Sequence, residues 1–427
     1  MKFNDISSYF YKILFILVLW CITYYSLTYF DLWYFFGIPK MVIIFPDLHV
    51  LLTAIDGYHQ GIDVLKSNPL CYLSIPHVYS CSWFLLHHVG FSDDYRIFIG
   101  VIIIVLFAVS ITELVKNKFL YFLPLILSPT LIFTIERCNN DLIIFIMLWF
   151  TGFFALSDSR KKIFFSHILL ITAVSFKYYP IAFSLIYLFR KENLTSNLKH
   201  ILTQALFFMI WISFVWEDLQ FQQLTIPNPG YSFSFGFETF NTLCSNLLHL
   251  NVNVSFFVNS LIILFFVLSL SKFYAKNLIC TKANDTQKRL KNSLCFGGTM
   301  VLLFCYFVRT SFDYRMIFLF FILPTFLDFR FFTLNRISHF FLSPIFIYFL
   351  FLISIWVEAF REWFLLVFKA YGYDNFIPQL LFSLRAFEQC INHFSFLSTL
   401  AFSLFLICSC NKDIQNIISK FTTTKTK

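Results

Sequence analysis

Four short clusters of ionisable side chains interrupt an otherwise apolar chain, and each is suited to chemistry on an anionic or hydroxylic substrate. The first is Phe45-Pro46-Asp47-Leu48-His49. A carboxylate held against apolar neighbours can act as general base on a hydroxyl. The plain alternative is a helix N-terminus, because Pro-Asp before Leu48 and His49 fits a cap. The second is Glu136-Arg137-Cys138-Asn139-Asn140-Asp141. If a helix begins here, Glu136 with Asn140 and Arg137 with Asp141 become neighbours at helical spacing. Free N–H groups at a helix start, together with an Arg, favour an anion such as phosphate. The third is Phe176-Lys177-Tyr178-Tyr179-Pro180, a Lys at a break between apolar halves. Anion binding is the preferred reading, with snorkelling of a long side chain to the interface as the alternative. The fourth is Arg309-Thr310-Ser311-Phe312-Asp313-Tyr314-Arg315. Its arginines could grip phosphate in a bidentate way, or Arg309 could close the turn on Asp313.

The elements that must position these groups follow from composition. Of 427 residues, 59% are hydrophobic and 13% charged, with a mean hydropathy of +0.74. Soluble domains carry about 25% charged residues, so a bilayer is the solvent that suits this chain. Apolar runs at 10–30, 97–115, 119–135, 141–156, 201–216, 254–271, 294–308, 316–332, 339–357 and 391–410 predict membrane spans. The run after Lys2 has no small-residue cleavage site and reads as a retained first span. The stretch 163–189 is flanked on both sides by cations, Arg160, Lys161 and Lys162 before it and Arg190, Lys191 and Lys199 after it. It should therefore enter and leave on one side, as a hairpin broken at Tyr179-Pro180.

Loop charge sets the sides. The 31–96 loop is acidic on balance, and 217–253 has Glu217, Asp218 and Glu238 with no Lys or Arg. Lys116, Lys118 and the 272–292 loop are basic, and basic loops mark the cytoplasmic side. All four clusters then fall outside, and the tail 411–427 with both termini falls inside. The predicted fold is a single all-α polytopic transmembrane bundle of about 10–12 crossing segments, with short interfacial helices in the 31–96 loop. Asp56 and Asp63 read as solvated loop charges.

Several functions lack support. The net charge of +9 is explained by topology rather than nucleic acid. The 11 cysteines are scattered without a CxxC pair and read as small buried apolar residues. Five of the ten histidines, His49, His59, His77, His87 and His88, share the first outer loop without zinc-ligand spacing. No metal set is predicted, and a divalent cation is left open. There is no phosphate-binding Gly-rich loop and no serine-hydrolase elbow.

Taken in order, an acidic first outer loop, Glu136-Arg137-Cys138-Asn139-Asn140-Asp141 and Lys177-Tyr178-Tyr179-Pro180 resemble the GT-C superfamily of membrane glycosyltransferases. The branch most similar is the polyprenol-phosphate-mannose-dependent α-mannosyltransferases. The likeness covers about residues 40–190, with an echo at Asp313-Tyr314-Arg315; the family motif usually has Gly where Cys138 stands. The resemblance implies a polyprenyl-phosphate sugar donor, mannose being the expected sugar, used with a glycan or lipid acceptor. It implies Asp47 as base and Arg137, Lys177 and Arg315 on the donor phosphate. Glu136 and Asp141 would orient Arg137, with Asn140, Tyr178 and Asp313 as further orienting or substrate-binding residues. No cofactor is implied beyond membrane lipid, and a bacterial plasma membrane with the site on its outer face is the expected location. The competing readings are a polymerase or ligase using polyprenyl-pyrophosphate glycans, and a lipid or sugar transporter. The first would want Arg in a long outer loop, and the second charges along the middle of several spans.

Overall fold

The structure is a computed structural model that describes residues 3–33, 36–38, 40–72, 74–225, 234–249, 251–277, 286–308, 311–328, 343–370 and 377–410. It is a helical bundle built on one large apolar core. Among the described residues the only strand pairing is a two-residue antiparallel ladder, Ser234–Phe235 against Ser311–Phe312. The tail 411–427 and Arg309 lie outside the described residues.

The apolar runs become helices, some close to their sequence limits (Arg96–Val115, Asp141–Ala155) and some extended well beyond them (Pro344–Ala370, Ile377–Cys410). Phe3–Tyr29, Arg96–Val115, Asp141–Ala155, Leu194–Phe214, Val252–Asn277, Thr286–Val308, Pro344–Ala370 and Ile377–Cys410 cover eight of them. Five described helices are long and apolar enough to cross a membrane, or seven if each bent pair is one span. That is fewer than the segment count expected above: among the described residues two runs are bent pairs, and Asp141–Ala155 and Tyr179–Phe189 are apolar helices of under 18 residues. The run at 119–135 is one of the bent pairs. Ser128 accepts from the Leu131 N–H at 3.2 Å and so caps a new helix, Pro129–Glu136, with Pro at its first position. The two halves meet at 69°.

The stretch 163–189 is a helix, a break and a returning 3-10 helix. Helix Arg160–Phe176 ends at Lys177, whose backbone is extended, and the 3-10 helix Tyr179–Phe189 returns beside it. The Ser166 and Tyr187 hydroxyls, near the two open ends, lie 2.9 Å apart. Lys177 is therefore at the tip.

Charged groups separate to opposite ends of the bundle. At one end, Lys118 and Lys291 both bond Asp328, Arg289 donates to the Leu156 carbonyl at 3.2 Å, and Arg190 donates to the Ala155 carbonyl. Asp141 and Lys177 sit at the other end. The helix Asp141–Ala155 between them has 15 residues, about 22 Å of rise.

The described part of the 31–96 region includes the short helices Pro46–His59, Cys81–Val89 and Asp93–Tyr95. Asp63 is exposed and pairs with Lys66 at 2.8 Å. Asp56 is not a solvated charge as expected. It accepts from Ser92 Oγ at 3.1 Å and from the Asp93 N–H at 2.9 Å, tying the start of the next span to this helix. Of the cysteines, Cys71, Cys138, Cys295 and Cys305 are buried, but Cys21 and Cys390 lie on exposed faces.

Phe45, just before the helix Pro46–His59, packs closely onto Arg96–Val115. A Cβ built on Gly100 would meet the Phe45 ring at 2.4 Å, so only Gly lets this ring in. Gly100→Ala should lower stability by about 1–3 kcal/mol through overpacking, read as a lower thermal midpoint in detergent.

Candidate active site

The four sequence clusters that remain describable converge at one end of the bundle. Asp47 is the second residue of Pro46–His59, so it is not the cap. The capping position is Phe45, in a left-handed conformation with φ 57° and ψ 57°. The Asp47 side chain turns instead to Arg137 and Asn139. Its Oδ1 accepts Arg137 Nε at 2.8 Å and Nη2 at 2.5 Å, and its Oδ2 accepts Asn139 Nδ2 at 2.5 Å. The Asp47 N–H also donates to the Arg137 carbonyl at 3.1 Å.

The turn between Pro129–Glu136 and Asp141–Ala155 explains how two neighbouring residues reach one carboxylate. Cys138 between them has φ 44°, in the left-handed region that favours Gly. This is the position where the resembled motif has Gly. A reversed residue here lets Arg137 and Asn139 face the same way. Cys138 is buried, with Sγ 4.0 Å from the Gly100 carbonyl. Cys138→Gly should keep the thermal midpoint close to its starting value, whereas Cys138→Val should lower it, because β-branched residues resist positive φ. Thermal unfolding of both variants checks this.

Asp141 corrects a sequence expectation. Arg137 lies in the turn and Asp141 starts the next helix, so the two do not share a helical face. Asp141 is fully buried and takes Lys177 Nζ and the Tyr179 hydroxyl (2.6 Å) on Oδ1. Arg315 Nε approaches Oδ2 at 3.7 Å. The Asp141 N–H donates to Asn139 Oδ1 at 2.9 Å. Asn139 therefore joins the two halves, with its amide nitrogen on Asp47 and its oxygen on Asp141.

Glu136 does not orient Arg137 as expected. Its Oε2 is buried with no hydrogen-bond partner, while Arg137 is turned to Asp47. Asn140 is also buried, and neither atom of its amide has a partner. Tyr178 packs near Phe304 at the core, at 6.2 Å between ring centroids, and it is Tyr179 that enters the site. Asp313 begins a 3-10 helix, Asp313–Phe318, and its side chain lies outside the described residues.

Aromatic rings flank the cations. Lys177 Nζ lies 5.4 Å from the Tyr79 ring centroid, and Arg315 Cζ lies 5.2 Å from that of Tyr179. Arg137 Cζ stands 5.1 Å from Phe133. The Lys177 tip is held by Trp83, whose Nε1 donates to the Phe176 carbonyl at 3.2 Å and whose ring stacks on Phe176 at 3.9 Å. Lys177 also lies within electrostatic reach of Arg315 and Asp47. Cations and carboxylates thus alternate over one small region: Arg137 on Asp47, then Lys177 and Arg315 on Asp141.

Sequence reasoning missed Asn139, Tyr79 and Tyr179, although two of them stand inside the motifs it singled out. The loop histidines are not gathered on this cluster. His49 lies against Asp93 at 3.0 Å and Arg96 at 2.6 Å, and His59 stacks on His87 at 3.7 Å. Burial holds the His77 imidazole down to about 4, so it is neutral at physiological pH. Among the described residues no group of three His, Cys, Asp or Glu is placed to hold a metal ion. Compared with protein-family models, curated proteins and solved structures, the chain finds no match.

Proposed function

We propose that this chain is a membrane glycosyltransferase that moves a sugar, mannose by resemblance, from a polyprenyl phosphate to a glycan or lipid acceptor at the outer face of a bacterial plasma membrane. One observation carries the reading. Asp47, Arg137, Lys177 and Arg315 come from four distant stretches and meet at one end of the bundle.

In the proposed step the acceptor hydroxyl oxygen attacks the anomeric carbon, and its proton passes to Asp47. The bond from that carbon to the phosphate oxygen breaks, and its electron pair leaves with the polyprenyl phosphate. The anomeric configuration inverts. Charge on the phosphate grows as the bond breaks, so preplaced cations stabilise the transition state more than the ground state. Arg137 and Arg315, with side chains 21% and 16% exposed, are the cations more open to a ligand. Lys177, at 8%, is deeper.

The test is transfer from a radiolabelled polyprenyl-phosphate sugar by the full chain in proteoliposomes. A new glycosidic product supports the reading. Passage of sugar or lipid without one supports a transporter instead. Lys177→Gln should cut the initial rate by about 10²–10³-fold, as removal of a transition-state cation does.

A further inference from the structure

The carboxylate assigned as base is engaged on both oxygens in this structure. Asp47 Oδ1 takes both donors of the Arg137 fork, and Oδ2 takes Asn139. Three of the carboxylate's about four acceptor positions are filled, and a proton arriving on the remaining one would arrive beside the Arg137 cation. The Nε and Nη2 edge of Arg137 is one of the two edges by which a guanidinium binds phosphate in a bidentate way. It cannot serve Asp47 and a phosphate at once. Asn139 differs from Arg137 in both respects. It is 1% exposed, and its oxygen is anchored by the Asp141 N–H at 2.9 Å. It is also neutral, so an arriving anion pulls on it far less than on a guanidinium.

We propose that the Asp47–Arg137 pair is a latch that the donor phosphate opens, leaving Asn139 to hold the freed carboxylate in place as the base. The inference rests on the transferase reading. It adds an order of events, since the donor must be seated before an acceptor hydroxyl can be deprotonated. It also makes Asn139 a positioning residue. The latch keeps the base idle until a sugar is present to receive the attack.

The experiment uses the full chain in nanodiscs, a hydrophobic carbodiimide that couples to accessible carboxyl groups and more slowly to one held in an ion pair, and mass spectrometry of the adduct sites. The probe is a polyprenyl monophosphate carrying ³²P, so that its retention is measured in the same samples. The exposed Asp63 serves as internal reference. Labelling of Asp47 should accelerate several-fold when the lipid is retained, with Asp63 unchanged. In Arg137→Lys, which keeps the charge but loses the fork, Asp47 should label fast with or without lipid. Asn139→Ala should lower kcat while leaving the donor KM unchanged. Retained lipid with Asp47 labelling unchanged or slowed overturns the latch and leaves the transferase reading standing. Failure of the protein to retain the lipid removes both.

Discussion

Asp47→Asn is expected to abolish transfer of sugar from a polyprenyl-phosphate donor. The amide fills the same space but cannot take the acceptor's proton, and general-base catalysis contributes about 10²–10⁴-fold to such steps. The position of Asp47 favours a large effect. It is buried beside Arg137 at the second residue of a helix pinned by the Phe45–Gly100 contact, so no neighbouring carboxylate replaces it easily. Asp141 is committed to Lys177 and Tyr179, and Glu136, the other carboxylate beside Arg137, makes no hydrogen bond through its buried Oε2; Glu136→Gln serves as the control for replacement of the base. The substitution also leaves Arg137 without its carboxylate, so the variant must be compared at equal thermal midpoint, with Asp47→Glu alongside it. Initial rates in proteoliposomes measure the effect. A rate for Asp47→Asn close to that of the unmodified chain, in folded protein, removes Asp47 from the chemistry and the transferase mechanism with it.

Asp141→Ala is expected to have the largest effect on stability. The carboxylate is fully buried and its partner Lys177 is 8% exposed. Removing one member of a buried ion pair leaves an uncompensated charge, at a cost of about 3–5 kcal/mol. Tyr179 loses its acceptor at the same time, and Arg315 loses its opposite charge. Asp141→Asn keeps an acceptor for Tyr179 but not the charge, so its midpoint should fall between the other two. Thermal unfolding in detergent orders the three proteins. An Asp141→Ala midpoint equal to that of the unmodified chain contradicts the pairing described here. The two substitutions also separate roles: Asp47→Asn, whose partner Arg137 is more exposed than Lys177, should lose less stability than Asp141→Ala and lose its rate even at matched midpoint.

The sequence by itself determined where the helices lie and where several of them break. Apolar run length and the Pro residues act locally, so 97–115 and 141–156 emerge as Arg96–Val115 and Asp141–Ala155, and the hairpin turns at Lys177 before Pro180. Loop charge also separated the basic turns near Lys118, Arg190 and Lys291 from the cluster at Asp47 and Lys177, because the two sets of groups lie at opposite ends of the helices that join them. Pairing was decided only in the tertiary structure. Nothing local says that Asp141 belongs to Lys177 rather than to Arg137, or that Asn139 bridges two carboxyl-bearing residues. Those choices depend on the left-handed turn at Cys138 and on the packing of Trp83 against Phe176. Hydrophobic runs fix elements through short-range propensity and burial. An ion pair between distant residues forms only where packed helices bring its two ends within a few ångströms.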